Sequence, residues 1–165
     1  MHGYSSWLPK ILENSGMSPV HAGYAAALPF LTSIPAVLIF PRYVSQNNRD
    51  FISGILALVA GFSILWVVVF EWNVIIGLLL FGISCPCLMP LLVLSLMESP
   101  EVASKYLGSA TGVFFCVAEI GGFCGPFVVG YFVDLFGNFT VGGSFLSGLA
   151  FLIFLLMCRK RGETG

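Results

Sequence analysis

Four long runs without a charged residue constrain this chain more than any other feature of its sequence. A helix rises about 1.5 Å per residue, so about 20 apolar residues cross a hydrocarbon core of about 30 Å. The four runs meet that length and extend over Ala22–Pro41, Phe51–Phe70, Trp72–Met97 and Phe139–Cys158. A fifth run, Tyr106–Val133, is interrupted by Glu119 alone. Backbone amides find no water inside lipid, so the runs predict an all-α, polytopic membrane bundle of five transmembrane helices.

The composition of the whole chain agrees with a lipid environment. Hydrophobic residues make up 58% of the 165 residues, charged residues make up 9%, and the formal net charge is -1. Ordinary soluble domains are roughly 45–50% apolar and about 25% charged. Too few polar side chains remain to cover a globule in water. The composition therefore excludes a soluble enzyme, a nucleic-acid-binding protein and a disordered tail.

The predicted organisation has three parts, which are an outer loop and tail, a transmembrane bundle and a cytoplasmic tail. They cover residues 1–21, 22–158 and 159–165, with spans near 22–41, 51–70, 72–97, 106–133 and 139–158. Five spans put the chain's two ends on opposite sides of the membrane. Lys10 falls on one side, and the other side holds Arg42, Arg49, Lys105, Arg159, Lys160 and Arg161. The positive-inside rule therefore predicts a protein of the plasma membrane with a cytoplasmic C-terminus and an external N-terminus.

The predicted external segment, residues 1–14, has no basic region followed by an apolar core, as a cleavable signal would. An external start without a preceding helix is unusual. We therefore expect the chain to be the C-terminal part of a longer protein or a truncated gene product.

All five cysteines lie in the apolar runs, and none belongs to a CxxC pair. Structural zinc sites need four converging ligands. Cys85 and Cys87 are two residues apart, so they point about 200° apart on a helix and cannot chelate together. We interpret the cysteines as small buried hydrophobic residues, and we expect neither a metal ion nor another cofactor.

Glycines, a proline and the one charge share a face of the run that contains Glu119. Four residues lie within about 20° of Glu119 at 100° per residue, namely Gly108, Gly112, Pro126 and Gly130. Gly121 and Gly125 form a GxxxG on a different face. Small residues let helix backbones approach closely in lipid. The pattern therefore predicts a helix that packs between neighbours.

The same spacing resembles a motif of a known family. The set formed by Gly112, Gly121, Gly125-Pro126 and Gly130 resembles the glycine–proline helix of the major facilitator superfamily. Gly130-x-x-x-Asp134-x-x-Gly137 is similar to the exit from that helix. The outer loop before the family's eighth helix is similar to the stretch that contains Trp7-Leu8-Pro9, Gly16-Met17-Ser18 and Ala22-Gly23.

The resemblance implies part of a six-helix half of major-facilitator type, with the spans corresponding to helices eight to twelve of twelve. Helices two to six are the alternative, because the two halves are repeats of one topology. The loop Arg42–Arg49 lacks the Gly and Asp of the family's first-half cytoplasmic motif, which favours the C-terminal half. Such a fragment would need the N-terminal transporter half as its partner.

Glu119 is the ionisable side chain that falls in mid-membrane. A charge at the bilayer centre costs about 2.5–3.5 kcal/mol on insertion scales, so such a group pairs, faces water or stays protonated. One hypothesis makes Glu119 a carboxylate that couples protons or substrate in a central cavity. The alternative is a buried carboxyl that bonds a neighbouring helix across the glycine face.

Prolines inside two of the spans predict kinks or exposed carbonyls. Pro86 and Pro90 have no N–H, so the carbonyls of residues 82 and 86 lose their usual partners, and Pro29 and Pro35 do the same for residues 25 and 31. Such carbonyls can bind a solute or cation where a cavity reaches them. The alternative is a kink that only shapes the helix. The candidate pathway comprises Glu119, Tyr24, Thr32, Ser33, Ser84 and Cys116.

The resemblance implies a half or fragment of a secondary active transporter that moves a small solute by alternating access. One alternative is a membrane assembly or regulatory fragment that does not transport and needs a partner half. A polytopic membrane enzyme is a further alternative, but it would need clustered catalytic side chains, and this sequence offers one buried carboxylate. The predicted partners are the lipid bilayer, a small-molecule solute and the N-terminal half, without nucleic acid.

Overall fold

The computed structural model describes residues 2–69, 73–99, 102 and 104–164. It contains six α-helices, which are α1 (His2–Asn14), α2 (Pro19–Tyr43), α3 (Arg49–Val69), α4 (Val74–Met97), α5 (Leu107–Phe136) and α6 (Thr140–Thr164). The described residues contain no β-strand. Helices α2 to α6 are long and apolar enough to cross a membrane. The predicted all-α class with five membrane-spanning helices is confirmed.

Local sequence signals account for where the helices begin and end. Pro19 begins α2 behind Ser18, whose hydroxyl accepts the His21 N–H at 3.4 Å. A proline suits the first helical turn because its missing N–H would be unsatisfied there anyway. Gly137 ends α5 with φ of 70°, a left-handed conformation that favours glycine. The Asn138 side chain then accepts the Thr140 N–H at 3.1 Å at the start of α6.

The helices form a ring in the order α1, α2, α4, α3, α6, α5, and α4 and α5 also contact each other across it. The bundle has two ends, which we call the α1 end and the Arg49 end. The α1 end holds the first turns of α2, α4 and α6, and the Arg49 end holds the first turns of α3 and α5. A core cluster at the α1 end contains residues from each of the helices α1, α2, α3, α4 and α5. A smaller cluster at the Arg49 end includes Leu56 and Leu91.

The structure differs from the expected outer loop over residues 1–21, because residues 2–14 form helix α1 inside the bundle. Tyr4, Leu8 and Leu12 are each at most 1% exposed, and Ile11 is also buried. Spacings of three and four residues put these side chains on one helical face, which is the face that packs on α2, α4 and α5. At about 20 Å, α1 is too short to cross a membrane by itself.

Small residues bring α3 and α6 close together. A Cβ added to Gly61 would lie 2.8 Å from the Cβ of Ala150, and one added to Gly143 would lie 3.0 Å from the Val68 side chain. The buried Ser147 hydroxyl donates to the Gly61 carbonyl at 2.7 Å. Close backbones and an interhelical hydrogen bond are the two main sources of helix association in lipid.

Charged residues at the Arg49 end tie α3 to α4. Arg49 is 8% exposed and pairs with Glu98 at the end of α4. One residue further on, Asp50 accepts the Ser95 hydroxyl at 2.5 Å. Arg49 therefore has a packing role in addition to the topological role that the sequence predicted for it.

Candidate functional site

Glu119 lies on an open face of α5. It is about 18 Å along the helix from Leu107, which is near the middle of a span. The side chain is exposed, and no other described residue bonds it. A Cβ added to Gly108, Gly112 or Gly121 would meet nothing within 4 Å, so the surface around Glu119 is also open.

The other end of α5 is covered by α1. Gly3 and Gly125 touch backbone to backbone, since a Cβ on Gly3 would lie 2.8 Å from the Gly125 carbonyl carbon. The Trp7 indole N–H donates to the Pro126 carbonyl at 3.0 Å, and the Trp7 ring lies over Gly130. The two helices run parallel, and the described part of α1 reaches Gly125 without reaching Glu119.

The glycines of α5 therefore divide into a covered set and an open set. Gly125, Pro126 and Gly130 contact α1, which is the kind of packing that the spacing predicted. Gly108, Gly112 and Gly121 contact no neighbouring helix among the described residues. The expectation that the whole helix packs between neighbours is wrong for this chain by itself. The alternative role for Glu119 was a buried bond to a neighbouring helix across the glycine face. Among the described residues, the Glu119 side chain is exposed and makes no such bond.

Pro29 and Thr32 meet α4 at Gly82. A Cβ on Gly82 would lie 2.1 Å from the Thr32 hydroxyl oxygen and 2.6 Å from both the Cα and the carbonyl oxygen of Pro29. The Thr32 hydroxyl itself bonds the Leu28 carbonyl at 3.0 Å, one turn back in α2. Helix α4 continues through Pro86 and Pro90 without a break. The two prolines therefore act inside one continuous helix.

The remaining pathway candidates lie apart from one another. Tyr24 is 73% exposed on α2, and the half-buried Ser33 donates to the Phe30 carbonyl at 2.6 Å. Ser84 is buried and donates to the Leu80 carbonyl at 2.6 Å. Cys116 is exposed on α5, one turn from Glu119. Of the six candidates, Cys116 and Glu119 are therefore the two that share a surface.

The sequence suggested that all five cysteines are buried, but the structure exposes two of them. Cys85 and Cys87 are buried, but Cys116 and Cys124 are exposed on α5. The difference follows from the position of α5, which leaves most of its surface uncovered within this chain. No group of three or more possible metal ligands occurs among the residues that the structure describes.

Tyr4 is a residue that the sequence interpretation missed. Its side chain is 1% exposed, its ring centroid lies 4.7 Å from that of Phe81, and its hydroxyl has no hydrogen-bond partner among the described residues. The spacing of Tyr4, Leu8 and Leu12 was the signal that could have placed it in the core.

We expect Tyr4→Phe to raise the stability of the folded chain by about 1 kcal/mol, because it removes a buried hydroxyl that lacks a partner. Thermal unfolding in detergent, followed by size-exclusion chromatography, measures the change. Tyr24→Phe is the matched control, since Tyr24 is exposed and its hydroxyl stays accessible. A lower melting temperature for Tyr4→Phe alone would contradict the prediction.

Sequence comparison finds relatives that are named as transporters. Two Agrobacterium vitis proteins that carry tartrate transporter in their names are 24% identical to the chain, in alignments of 167 and 155 positions that cover 96% and 91% of this chain. An Acinetobacter baumannii protein named quinolone resistance transporter is 22% identical in an alignment of 175 positions that covers 99% of this chain. The chain spans 38%, 34% and 40% of the lengths of these relatives. No protein-family model and no solved structure matches the chain.

These comparisons support a transporter function in general terms, at low identity. The relatives are named for transport and not for catalysis. Together with five apolar helices of membrane-spanning length, they characterise the chain as a multi-pass membrane protein related to transporters.

Proposed function

We propose that the chain forms helices eight to twelve of a secondary active transporter of major-facilitator type, which moves a small solute by alternating access. Two six-helix halves would rock about a site in mid-membrane, and an N-terminal half would complete the bundle. The relatives support this proposal because they are named as transporters of small solutes and are more than twice as long as the matched segment.

The open surface of α2 and α5 is the observation that carries the proposal. In the most apolar 18-residue stretch of α3 and of α4, 50% of the residues are buried within the chain. The corresponding fraction is 11% in α2 and 6% in α5. The open part of α5 holds a carboxyl group and three bare glycines, which are poorly suited to face lipid. A second helical half, or a water-filled path between the halves, suits this surface better.

We propose a plasma-membrane location with the Arg49 end in the cytoplasm. The described links between α2 and α3 and between α4 and α5, together with the last turn of α6, lie at that end. It therefore holds six of the seven basic residues, as the positive-inside rule requires for a cytoplasmic side. Reporter fusions at the two ends of the chain test the orientation. If the fusions at both ends reported the same side of the membrane, the proposed orientation would be contradicted.

Uptake measurements test the transport proposal directly. Cells that lack tartrate uptake would express this chain, either alone or together with the part of an A. vitis relative that the chain does not cover. We expect saturable uptake of radiolabelled tartrate, or export of a quinolone, in the second arm and none in the first. Stable association without movement of either solute would favour a non-transporting assembly or regulatory role.

A further inference from the structure

Glu119 lies too far from the basic residues at the Arg49 end to pair with any of them. Lys105 precedes α5 and is about 21 Å from Glu119 along the helix axis. Arg42, Arg49 and Arg159 lie near the ends of α2, α3 and α6 that are on the same side. An ion pair needs its charged atoms within about 4 Å of each other. The cations at this end therefore leave the carboxyl group unpaired.

Lys10, at the α1 end, is also out of reach. Helices α1 and α5 are parallel and Gly3 touches Gly125, so Lys10 lies about 19 Å further toward the α1 end than Glu119. Its ammonium group pairs with Glu13 at 3.1 Å. The described part of this chain therefore contains no cation that can neutralise Glu119.

Two bare glycines extend the surface of Glu119 toward the Arg49 end. Gly108 and Gly112 lie within about 20° of Glu119 around the helix, and a Cβ on either would meet nothing within 4 Å. Their spacing of Gly-x-x-x-Gly lets another helix approach backbone to backbone in lipid. A helix that packs on these glycines brings its next turns beside Glu119, which is about 10 Å further along α5 than Gly112.

The rest of this face already holds a helix. Toward the α1 end, Trp7 of α1 donates to the Pro126 carbonyl and its ring lies over Gly130. Pro126 and Gly130 have the same angular position on α5 as Glu119, within about 20°. Phe115, one turn before Glu119, is exposed and apolar. A second helix in continuation of the α1 contact suits this face better than lipid, which solvates no charge.

We propose that this face of α5 docks a transmembrane helix of the N-terminal half that carries a lysine or arginine at the depth of Glu119. Small residues of that helix pack on Gly108 and Gly112, and its cationic side chain donates to the Glu119 carboxylate. The inference rests on the proposed function and adds the chemistry of the partner helix. Charge complementarity carries it, because Glu119 has no cation within this chain.

Association with designed transmembrane peptides tests the proposal on the full chain in phosphatidylcholine vesicles. Two single-span leucine-rich peptides with a central Gly-x-x-x-Gly differ only in a lysine or a methionine two turns from the glycines. Energy transfer from the labelled peptide to a dye at the C-terminus of the chain measures binding. We expect the lysine peptide to bind about tenfold more tightly than the methionine peptide, or better. Equal affinity for the two peptides would overturn the proposal.

Three variants show whether the preference belongs to this face. Glu119→Gln should bind the two peptides equally, and Gly112→Leu should weaken binding of the lysine peptide severalfold. Val117→Glu in the Glu119→Gln chain is the matched control, because it restores an exposed carboxyl group at nearly the same depth but about 160° around the helix. We expect no preference for lysine in this double variant. A restored preference would show that depth alone matters and would overturn the docking face.

Failure of the transport proposal gives a different result. If the chain and the A. vitis segment together produce no uptake while the lysine peptide is still preferred, transport is contradicted and the docking face stands. Uptake by the assembled pair with equal binding of the two peptides would overturn the docking face alone.

Discussion

If Glu119 couples protons to solute movement, as the first of its two hypotheses holds, its replacement by glutamine in the assembled transporter is expected to reduce uptake about tenfold or more and to flatten the dependence of uptake on pH, a loss of at least about 1.4 kcal/mol. Glutamine keeps the size and hydrogen-bonding capacity of the side chain, but it cannot bind and release a proton. The measurement is initial uptake across a range of external pH, normalised to the amount of protein in the membrane.

The expected effect follows from where the structure puts this carboxyl group. Glu119 is exposed near the middle of α5 and has no partner among the described residues. A lone carboxylate in hydrocarbon is unfavourable by about 2.5–3.5 kcal/mol on insertion scales. It becomes acceptable when water reaches it, when a cation of the partner half pairs with it, or when it binds a proton. Each of these conditions can change between the two states of an alternating-access cycle.

Phe123→Leu is the control for Glu119, because Phe123 is exposed one turn away on the same helix and is not one of the pathway candidates. It should leave the pH profile unchanged, since no carboxyl group is lost. If Glu119→Gln also keeps the normal profile at normal expression, Glu119 has a structural role and coupling lies elsewhere.

Replacement of Gly82 by alanine is expected to destabilise the bundle by about 3 kcal/mol, at the upper end of the usual cost of overpacking. The added Cβ would come within 2.6 Å of the Pro29 Cα and carbonyl oxygen. Rotation of the Thr32 side chain can move its hydroxyl away, but Pro29 contributes backbone atoms that move only with the whole of α2. Loss of folded, monodisperse protein on heating measures the effect.

Gly23→Ala provides the opposite expectation for the same chemical change. Gly23 lies in α2 and a Cβ there meets nothing within 4 Å. Alanine favours a helix over glycine by about 1 kcal/mol, so this variant should be as stable as the unaltered chain or more so. Similar melting temperatures for Gly82→Ala and Gly23→Ala would show that α2 and α4 are not in close contact at Gly82.

The five spans could be predicted because each one is a local property of the sequence. The expected boundaries and the observed helices agree within a few residues at most ends, as in Phe51–Phe70 against Arg49–Val69. Helix α1 was missed because a loop was expected from the resemblance, although Tyr4, Leu8 and Leu12 follow helical spacing. The face of α5 that carries Glu119 could also be predicted, since angular position depends only on residue number.

Which helix faces pack on one another, by contrast, depends on contacts between residues that are far apart in the chain. Nothing in the spacing of Gly121 and Gly125 indicates that one is open and the other touches Gly3, more than a hundred residues away. The pairing of Arg49 with Glu98 and the contact of Gly82 with Pro29 are of the same kind. The sequence by itself determined that the chain enters lipid as five helices, because too few charges remain to keep it in water. The tertiary structure alone decided which faces are buried, because burial is a property of two surfaces that meet.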